Sequence, residues 1–381
     1  MTHPPSRPPR RARLYHQVRS AHLERAAQLP PARLLYGSRR YDFQEDLADG
    51  LDLVPAPGAR AAWHLLRHGA DVLEVNEPLY LHGARWTALA LLGLRVGEVV
   101  RRRRGLVVSY AIENLDPAGL RPSKGLRSRV GRRLDALSMR AVWRRLDRVA
   151  FGTSAARDLY ASVLGRRPGQ RSTVIPALPA PAADVRPQDK EPGTALFLGA
   201  FSARKGLPQV AAAWPAVAAR LPEARLTLVG KGALEPVASG LAEEQTQVQL
   251  VVDPPRAEIR EHLQRHTVLV LPAQPTPGWR EQVGLPLVEG LSYGCTVVTT
   301  AETGLAEWLA AHGHRVVEPA ESVGALVEAL VAALEHPLDP VEVLGSLPDN
   351  DGRLAADAWL FDDPVPVGTR GSGRGVGADV A

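Results

Sequence analysis

REQVGLPLVEGLSYGCTVVTT, residues 280–300, contains the local pattern on which the fold assignment depends. Pro286 follows Gly284 and Leu285 and is typical of the first turn of a helix, where its fixed φ fits and its missing N–H is not needed. The run CTVVTT that follows is rich in β-branched residues and is typical of a buried strand. The stretch therefore predicts a helix that leads directly into a strand.

Similar β-rich runs recur along the chain, separated by segments with helical periodicity. They are continuous rather than alternating, as expected for strands buried on both faces of a parallel sheet. Two successive β/α alternations predict an α/β protein with two doubly wound, Rossmann-like domains that face a cleft. The runs begin at Ala12, Ala32, Leu51, Asp71, Gly105, Arg148 and Ser172, and then at Thr194, Arg225, Val248, Thr267, Cys295 and His314.

The domain organisation follows from length and composition. A chain of 381 residues can bury two independent cores. Residues 181–193 are rich in proline and charge and predict a linker between an amino-terminal domain, 1–180, and a carboxyl-terminal domain, 194–345. Residues 346–381 end in a glycine-rich sequence with little apolar surface, so we expect them to form a largely disordered tail.

The composition excludes several classes of protein. The single cysteine, Cys295, excludes a disulfide framework and a cysteine-based zinc site and fits a reducing cytoplasm. The first residues are charged and rich in proline with no apolar run, so we expect no signal peptide. The most apolar stretch, 86–96, is about half the length that crosses a bilayer, and we expect a buried helix there.

The formal net charge is +5, and the basic residues are concentrated in two stretches, 101–105 and 121–148. They lack the interleaved aromatic residues of nucleic-acid modules, which argues against nucleic-acid binding. The second stretch is partly helical, and its basic face could contact an anionic membrane from the cytoplasm. A solvated helix face in an arginine-rich sequence is equally compatible. The predicted apolar side of the helix comprises Leu126, Val130, Leu134, Leu137 and Val142.

The segment LFLGAFSARKGLPQV, 196–210, is suited to binding phosphate. A buried strand ends at Gly199, and a short turn with two cations, Arg204 and Lys205, leads into a helix. Glycine permits close approach of the backbone, and the helix start offers N–H groups that lack partners within the helix. An ordinary strand-to-helix turn with surface cations remains the alternative.

The first stretch offers a second helix amino end, formed by Val283, Gly284 and Leu285. Glu281 precedes this helix and Glu289 lies one turn inside it. A carboxylate can accept hydrogen bonds from two hydroxyl groups at once, so both acids are candidates for holding one polyhydroxyl ligand. Two solvated acids are the simpler alternative.

The stretch 280–300 is similar to the signature of retaining glycosyltransferases of family 4, which have the GT-B fold. Both have a Glu, seven residues and a second Glu, with Gly-Leu-Pro between them. The resemblance covers roughly residues 148–320. In the first hundred residues it is limited to the alternation of predicted strands and helices. Other segments that match in order are LGAFSARKG, LTLVGKG, TVLVLPA, TAETGLAEWL, DRVAFGTSAARDLY and STVIPA.

The resemblance implies a role for each matching residue. Glu281 would hold hydroxyls of the donor sugar, Glu289 would hold the ribose, and Lys205 would bind the diphosphate. One position departs from the family, since Ala200 stands where an arginine usually follows the glycine of the phosphate loop. Arg204 would then substitute for it.

The same resemblance implies a nucleotide-sugar as co-substrate, with no cofactor. No Asp-x-Asp motif appears in a loop suited to a diphosphate-bound metal, so we expect no metal site and metal-independent transfer with retention. The acceptor would bind the amino-terminal domain near Tyr110, Glu113, Asn114 and Glu77, which follow predicted strands. Ordinary polar turns are the alternative for these residues.

Two other classes of function stay open. A sugar-nucleotide epimerase of the same fold would need catalytic acids that converge on the donor sugar. A non-catalytic or degenerate binding protein would retain the donor without transferring its sugar, and Ala200 favours this alternative. The products formed from a labelled donor would separate these classes.

Overall fold

The computed structural model describes residues 10–40, 43–117 and 126–361, with the backbone alone at 126–128. The strands are β1 Arg11–Val18, β2 Arg33–Arg39, β3 Leu53–Pro55, β4 Val72–Val75, β5 Leu106–Ala111, β6 Arg148–Phe151, β7 Arg171–Val174, β8 Glu191–Leu198, β9 Arg225–Gly230, β10 Val248–Val252, β11 His266–Leu271, β12 Thr296–Thr300 and β13 Arg315–Val317. The helices are α1 Ser20–Gln28, α2 Arg60–His68, α3 Ala84–Arg101, α4 Leu126–Arg145, α5 Ser154–Leu164, α6 Leu207–Arg220, α7 Glu235–Glu244, α8 Arg256–Arg265, α9 Leu285–Ser292, α10 Ala306–Ala311, α11 Val323–Glu335, α12 Pro340–Gly345 and α13 Gly352–Phe361.

The strands form two parallel sheets. The first has the order β3-β2-β1-β4-β5-β6-β7, and the second has the order β10-β9-β8-β11-β12-β13. In each sheet the strand order reverses once, between β1 and β4 and between β8 and β11, so the following connections leave in opposite directions and open a crevice. The predicted α/β class with two doubly wound sheets is confirmed.

Alternate residues of the first sheet face two different layers of helices. Leu73, Val107 and Val149 pack into the core below α2, α3, α4 and α5. Their neighbours Val108 and Ala150 pack against α13 on the opposite face. Both faces of these strands are therefore buried, which explains why their sequence is continuously apolar rather than alternating.

Helix α3 lies between α2 and α4 and departs from the sequence-based expectation. Gly93 and Gly97 let its backbone approach α2, since a Cβ on Gly93 would lie 2.1 Å from the carbonyl oxygen of Ala62. Residues 86–96 do form a helix, but Leu92 and Val96 are exposed on its outer side. The expectation that this helix is buried is therefore wrong for one of its faces.

Helix α13 shows that residues 352–361, within the segment 346–381 predicted to be a largely disordered tail, are folded. Ala356 and Leu360 are buried against β5 and β6, so the chain returns from the second sheet to cover the first. The glycine-rich composition concealed a helical period of apolar residues. Residues 362–381 of the predicted tail lie outside the described residues, as do residues 1–9.

A buried ion-pair cluster fixes α13 to the first sheet. Arg13 of β1 pairs with Glu74 of β4 and with Asp357 of α13, and Arg353 of α13 also pairs with Glu74. All four side chains are at most 10% exposed. Removal of one partner from such a cluster leaves a buried charge without compensation, which is strongly destabilising.

The segment predicted as a linker is shorter than expected. Residues 181–193 contain a short 3-10 helix, Pro187–Asp189, and β8 already begins at Glu191. Glu191 pairs with His266 of β11. The strand therefore includes the last three residues of the predicted linker.

Candidate active site

The candidate site lies where the second sheet reverses its strand order. β8 and β11 are neighbours there, and their carboxyl ends lead to two different loops. The loop after β8 carries Lys205, and the loop after β11 carries Glu281. A crevice between such diverging loops is the usual ligand site of doubly wound sheets.

Gly206 fixes the loop after β8. It has φ +78° and begins α6, and a Cβ at this position would lie 2.0 Å from the carbonyl oxygen of Pro272. No other residue fits both this conformation and this approach to the loop after β11. The close contact holds Lys205 against the second loop.

Lys205 and Glu281 form an ion pair between the two loops. Each side chain is 11% exposed, so the pair is largely screened from water. The ring of Trp279 lies beneath two cations, 4.7 Å from the guanidinium carbon of Arg204 and 5.6 Å from Nζ of Lys205. Trp279 is not among the predicted site residues, although an aromatic residue two positions before the acid was a visible signal.

The amino end of α9 closes the crevice on the second side. Gly284 has φ +83° and precedes the helix, whose first turn contains Pro286. A Cβ on Gly199 would lie 3.9 Å from Cγ of Pro286, so the end of β8 and the start of α9 are adjacent. The structure therefore places the start of the predicted phosphate loop beside the amino end of α9, which the sequence indicated as an anion site.

The 281–285 loop is held in place by the loop after β12. The hydroxyl of Thr303 donates to the carbonyl oxygen of Val283 at 3.0 Å, and the amide of Gly304 donates to the carbonyl oxygen of Glu281 at 3.1 Å. Leu285, by contrast, is 67% exposed at the helix start. The backbone around Glu281 is thus fixed by hydrogen bonds.

Glu289 lies one turn inside α9 and pairs with Arg256 at the start of α8, with 2.8 Å between Nη2 and Oε1. The Glu289 side chain is 27% exposed. The hydrogen bond that Arg256 donates to the Glu289 carboxylate raises the pKa of Arg256 above its ordinary value. The sequence showed Glu289 but not its partner, which is 33 positions away.

Two hydrogen bonds connect the crevice to the amino-terminal domain. Asn114 donates from Nδ2 to the carbonyl oxygen of Glu281 at 2.9 Å, and Gln282 donates from Nε2 to Oε2 of Glu113 at 2.9 Å. Asn114 is buried, and its Oδ1 has no protein partner. The predicted acceptor-side residues after β5 therefore border the predicted donor side.

Glu77 fixes the backbone of the segment that carries Glu113. Its Oε2 accepts hydrogen bonds from the amides of Ile112 and Glu113 and from the hydroxyl of Tyr160. Burial, and then the carboxylate of Glu113, raise the pKa of Glu77 to about 7. Burial also raises the pKa of Glu113.

This shift of Glu77 links stability to pH. The folded state holds the proton more tightly than the unfolded chain, whose carboxyl has its ordinary pKa of 4.5. Below about pH 4.5 the carboxyl is neutral in both states, so its ionisation does not reduce the free energy of unfolding. As the pH rises from 4.5 through about 7, ionisation opposes burial and stability is lost.

Tyr110, the remaining acceptor-side candidate, and two histidines near β1 pack against other side chains. The ring of Tyr110 packs beneath the guanidinium of Arg353, 4.6 Å from its carbon, and its hydroxyl is buried without a partner. Among the described residues, no hydrogen bond joins Tyr110 to the loop of Glu281 as those of Glu113 and Asn114 do, so its role on the acceptor side stays a prediction. His22 stacks on Tyr15 at 4.3 Å, and His16 packs against Trp86 at 5.6 Å, so both histidines have packing roles.

Comparison with known families agrees with this geometry. Residues 192–336, which contain both loops of the crevice, match the family described as glycosyl transferases group 1. The carboxyl-terminal domain is a glycosyltransferase domain. The glycosyltransferase assignment suggested by the signature is thus confirmed for this domain, and the match ends before α12 and α13. No curated protein sequence matches the chain.

Solved structures share the fold over nearly the whole chain. WaaG, a glycosyltransferase involved in lipopolysaccharide biosynthesis, is 19% identical with a TM-score of 0.60, covering 91% of this chain and 98% of WaaG. HepE from Anabaena in complex with UDP is 15% identical with a TM-score of 0.61, covering 92% and 95%. The UDP-forming trehalose-phosphate synthase from Burkholderia vietnamiensis is 14% identical with a TM-score of 0.61, covering 93% and 99%. Each is similar in fold, and the GT-B architecture is confirmed.

Proposed function

We propose that this chain is a retaining glycosyltransferase that moves a sugar from a nucleotide-sugar to a hydroxyl group of a glycan, glycolipid or natural product. The observation that carries the proposal is the ion pair of Lys205 and Glu281 in the crevice between β8 and β11. One cation and one carboxylate lie there beside a helix amino end. This combination suits a diphosphate joined to a polyhydroxyl sugar.

The transfer step needs stabilisation of the leaving group. The bond between the anomeric carbon and the diphosphate oxygen breaks, and its electron pair stays on the diphosphate. The acceptor oxygen bonds to the anomeric carbon on the same face, and its proton moves to the leaving phosphate oxygen. Lys205, Arg204 and the amino end of α9 supply the compensating positive charge, so we propose that no metal cofactor takes part.

The two acids of the signature have different roles in this proposal. Glu281 would turn from Lys205 towards the hydroxyls of the sugar, and Glu289 would accept from the ribose hydroxyls. Arg256 lies close enough to hold Glu289 in position through their ion pair. Gly199 and the backbone of Val283, Gly284 and Leu285 would border the phosphates.

The acceptor would bind the edge of the amino-terminal domain that carries Glu113 and Asn114, with Glu77 fixing the backbone below them. Asn114 already contacts the backbone of Glu281, and Glu113 contacts the side chain of Gln282. We further propose that the enzyme works in the cytoplasm, in peripheral contact with the inner face of an anionic membrane.

The first test is a thermal-shift panel of UDP, GDP, ADP and TDP, each alone and as its glucose conjugate. The fold neighbour HepE has been solved with UDP and glucose, so UDP-glucose is the first donor to try. We expect one nucleotide to raise the Tm, and its glucose conjugate together with a hydroxyl acceptor to give an α-linked product whose configuration NMR can read. Stabilisation without release of nucleoside diphosphate would favour a binding protein. Conversion of the donor into a nucleotide-sugar with an epimerised sugar would favour an epimerase.

A further inference from the structure

Exposed apolar side chains are concentrated on three adjacent helices of the amino-terminal domain. On α3 they follow one another at helical spacing and form a stripe along its outer side. A second stripe lies on α4, and an exposed tryptophan lies on α2. We call this surface the α2–α4 face, and its large apolar members are Trp63, Leu89, Leu92, Val96, Val99, Val100, Val130, Leu134 and Leu137.

The exposure of these side chains is large. Val99 and Val100 are 71% and 75% exposed, and Trp63 is 62% exposed. Val142, which the sequence assigned to the same apolar side of α4, is instead fully buried in the core, and the side chain of Leu126 lies outside the described residues. Contiguous apolar surface of this kind is uncommon on a monomeric protein unless it contacts something.

The helices are held side by side by contacts that leave their outer faces uncovered. Arg101 donates to the carbonyl oxygen of Leu65 at 3.3 Å and also reaches that of Leu66, which joins α3 to α2. Arg85 of α3 donates to Asp135 and to the carbonyl oxygen of Gly131, both at 2.6 Å, which joins α3 to α4. The two apolar stripes therefore belong to one rigid surface.

The exposed charge on these helices is predominantly positive. The described helices α2, α3 and α4 contain two carboxylates, Glu98 and Asp135, and each is paired with an arginine, Arg145 or Arg85. The exposed basic residues that border the stripes are Arg60, Arg67, Arg95, Arg129, Arg133, Arg140 and Arg144.

We infer that the α2–α4 face docks on an anionic lipid surface, with the apolar side chains entering the interfacial region and the arginines contacting lipid phosphates. A bilayer interface accepts Trp and aliphatic side chains beside basic ones, and each basic side chain near it strengthens binding about fivefold. A second copy of this face would bring the arginines against one another. Among the described residues no helix is both long and apolar enough to span a membrane, so the contact would be peripheral.

The inference rests on the membrane contact in the proposed function and locates it on one face, and it is tested without the transfer reaction. The full chain is sedimented with vesicles of phosphatidylcholine and phosphatidylglycerol, 3:1, and with vesicles of phosphatidylcholine alone, at low and at high salt. We expect at least roughly tenfold stronger binding to the anionic vesicles and a loss at high salt. Equal binding to both vesicles, or none to either, would overturn the inference.

Variants test the location of the contact. Val99→Ser/Val100→Ser is expected to weaken binding roughly tenfold or more, whereas Val341→Ser, which alters an exposed valine on α12, should not change it. Because these side chains are exposed, the Tm should stay within a few degrees. If the valine variant binds like the wild type, the face is not the contact. If it instead abolishes a dimer seen by light scattering, the face joins two copies and the inference fails.

Fluorescence quenching by lipid provides an independent check. Vesicles that contain dibrominated phosphatidylglycerol quench tryptophan fluorescence only at close range. Trp63 is the most exposed of the described tryptophans, so Trp63→Phe should remove most of the quenching while vesicle binding persists. Undiminished quenching in this variant would place the lipid contact elsewhere on the chain.

Discussion

Replacement of Lys205 by methionine separates a catalytic role from a structural one. The side chains of Lys205 and Glu281 are each 11% exposed, and methionine has a similar length to lysine but no charge. The change leaves a carboxylate with little access to water and no partner cation. A fully buried pair loses about 3–5 kcal/mol in this way, and a pair at the wall of a cleft should lose about 1–3 kcal/mol.

The effect on turnover should be larger and should persist when stability is restored. One charge contact to the developing diphosphate contributes about 2.7–4 kcal/mol, so kcat should fall about 10²–10³-fold. Lys205→Met/Glu281→Gln removes the unpaired charge, and we expect it to regain most of the lost stability but none of the turnover. Release of nucleoside diphosphate measures turnover, and urea unfolding measures stability.

Arg220→Met is a matched control, because Arg220 also pairs with a glutamate, Glu328, but both side chains are at least 47% exposed. Its effect should stay below about 1 kcal/mol, and its turnover should be unchanged. A Lys205→Met enzyme with wild-type kcat would refute the assignment of Lys205 to the leaving group. A double variant that recovers turnover together with stability would show that Lys205 is only structural.

Three further predictions concern the fold and its pH dependence. Gly206→Ala should cost more than about 2 kcal/mol and abolish donor binding in a thermal-shift assay, whereas Gly240→Ala, with open space around it, should be neutral or stabilising. Asp357→Ala should cost about 3–5 kcal/mol in urea unfolding, unlike the exposed Asp158→Ala; equal effects would contradict a buried cluster. Glu77→Gln should raise the Tm relative to wild type at pH 8 but not at pH 4, and a pH-independent difference would contradict the raised pKa.

The sheets could be predicted from the sequence because parallel strands buried on both faces carry their signal locally. Every predicted β-rich run, from the one at Ala12 to the one at His314, lies in or overlaps a strand. The Gly-Leu-Pro sequence before α9 likewise marks a helix start that does not depend on the rest of the chain. Local patterns of this kind survive folding because packing reinforces them.

The errors arise where distant segments determine the environment. Residues 352–361 fold as α13 because Arg13 and Glu74, more than 270 positions earlier, provide buried partners. The exposed stripe of α3 has the same composition as a core helix, and only the absence of a covering element among the described residues distinguishes them. The contact of Asn114 with the loop of Glu281 joins residues 167 positions apart and leaves no local trace.

The candidate site keeps each signature acid beside a cation. Glu281 pairs with Lys205, and Glu289 pairs with Arg256. A diphosphate that enters the crevice offers Lys205 a more highly charged partner than one carboxylate, and Glu281 is then free to accept hydroxyl hydrogen bonds. A neutral sugar cannot replace Glu281 as the ionic partner of Lys205, because it carries no charge. Binding of the nucleotide part should therefore precede and strengthen binding of the sugar, because the diphosphate releases the carboxylate that the sugar needs.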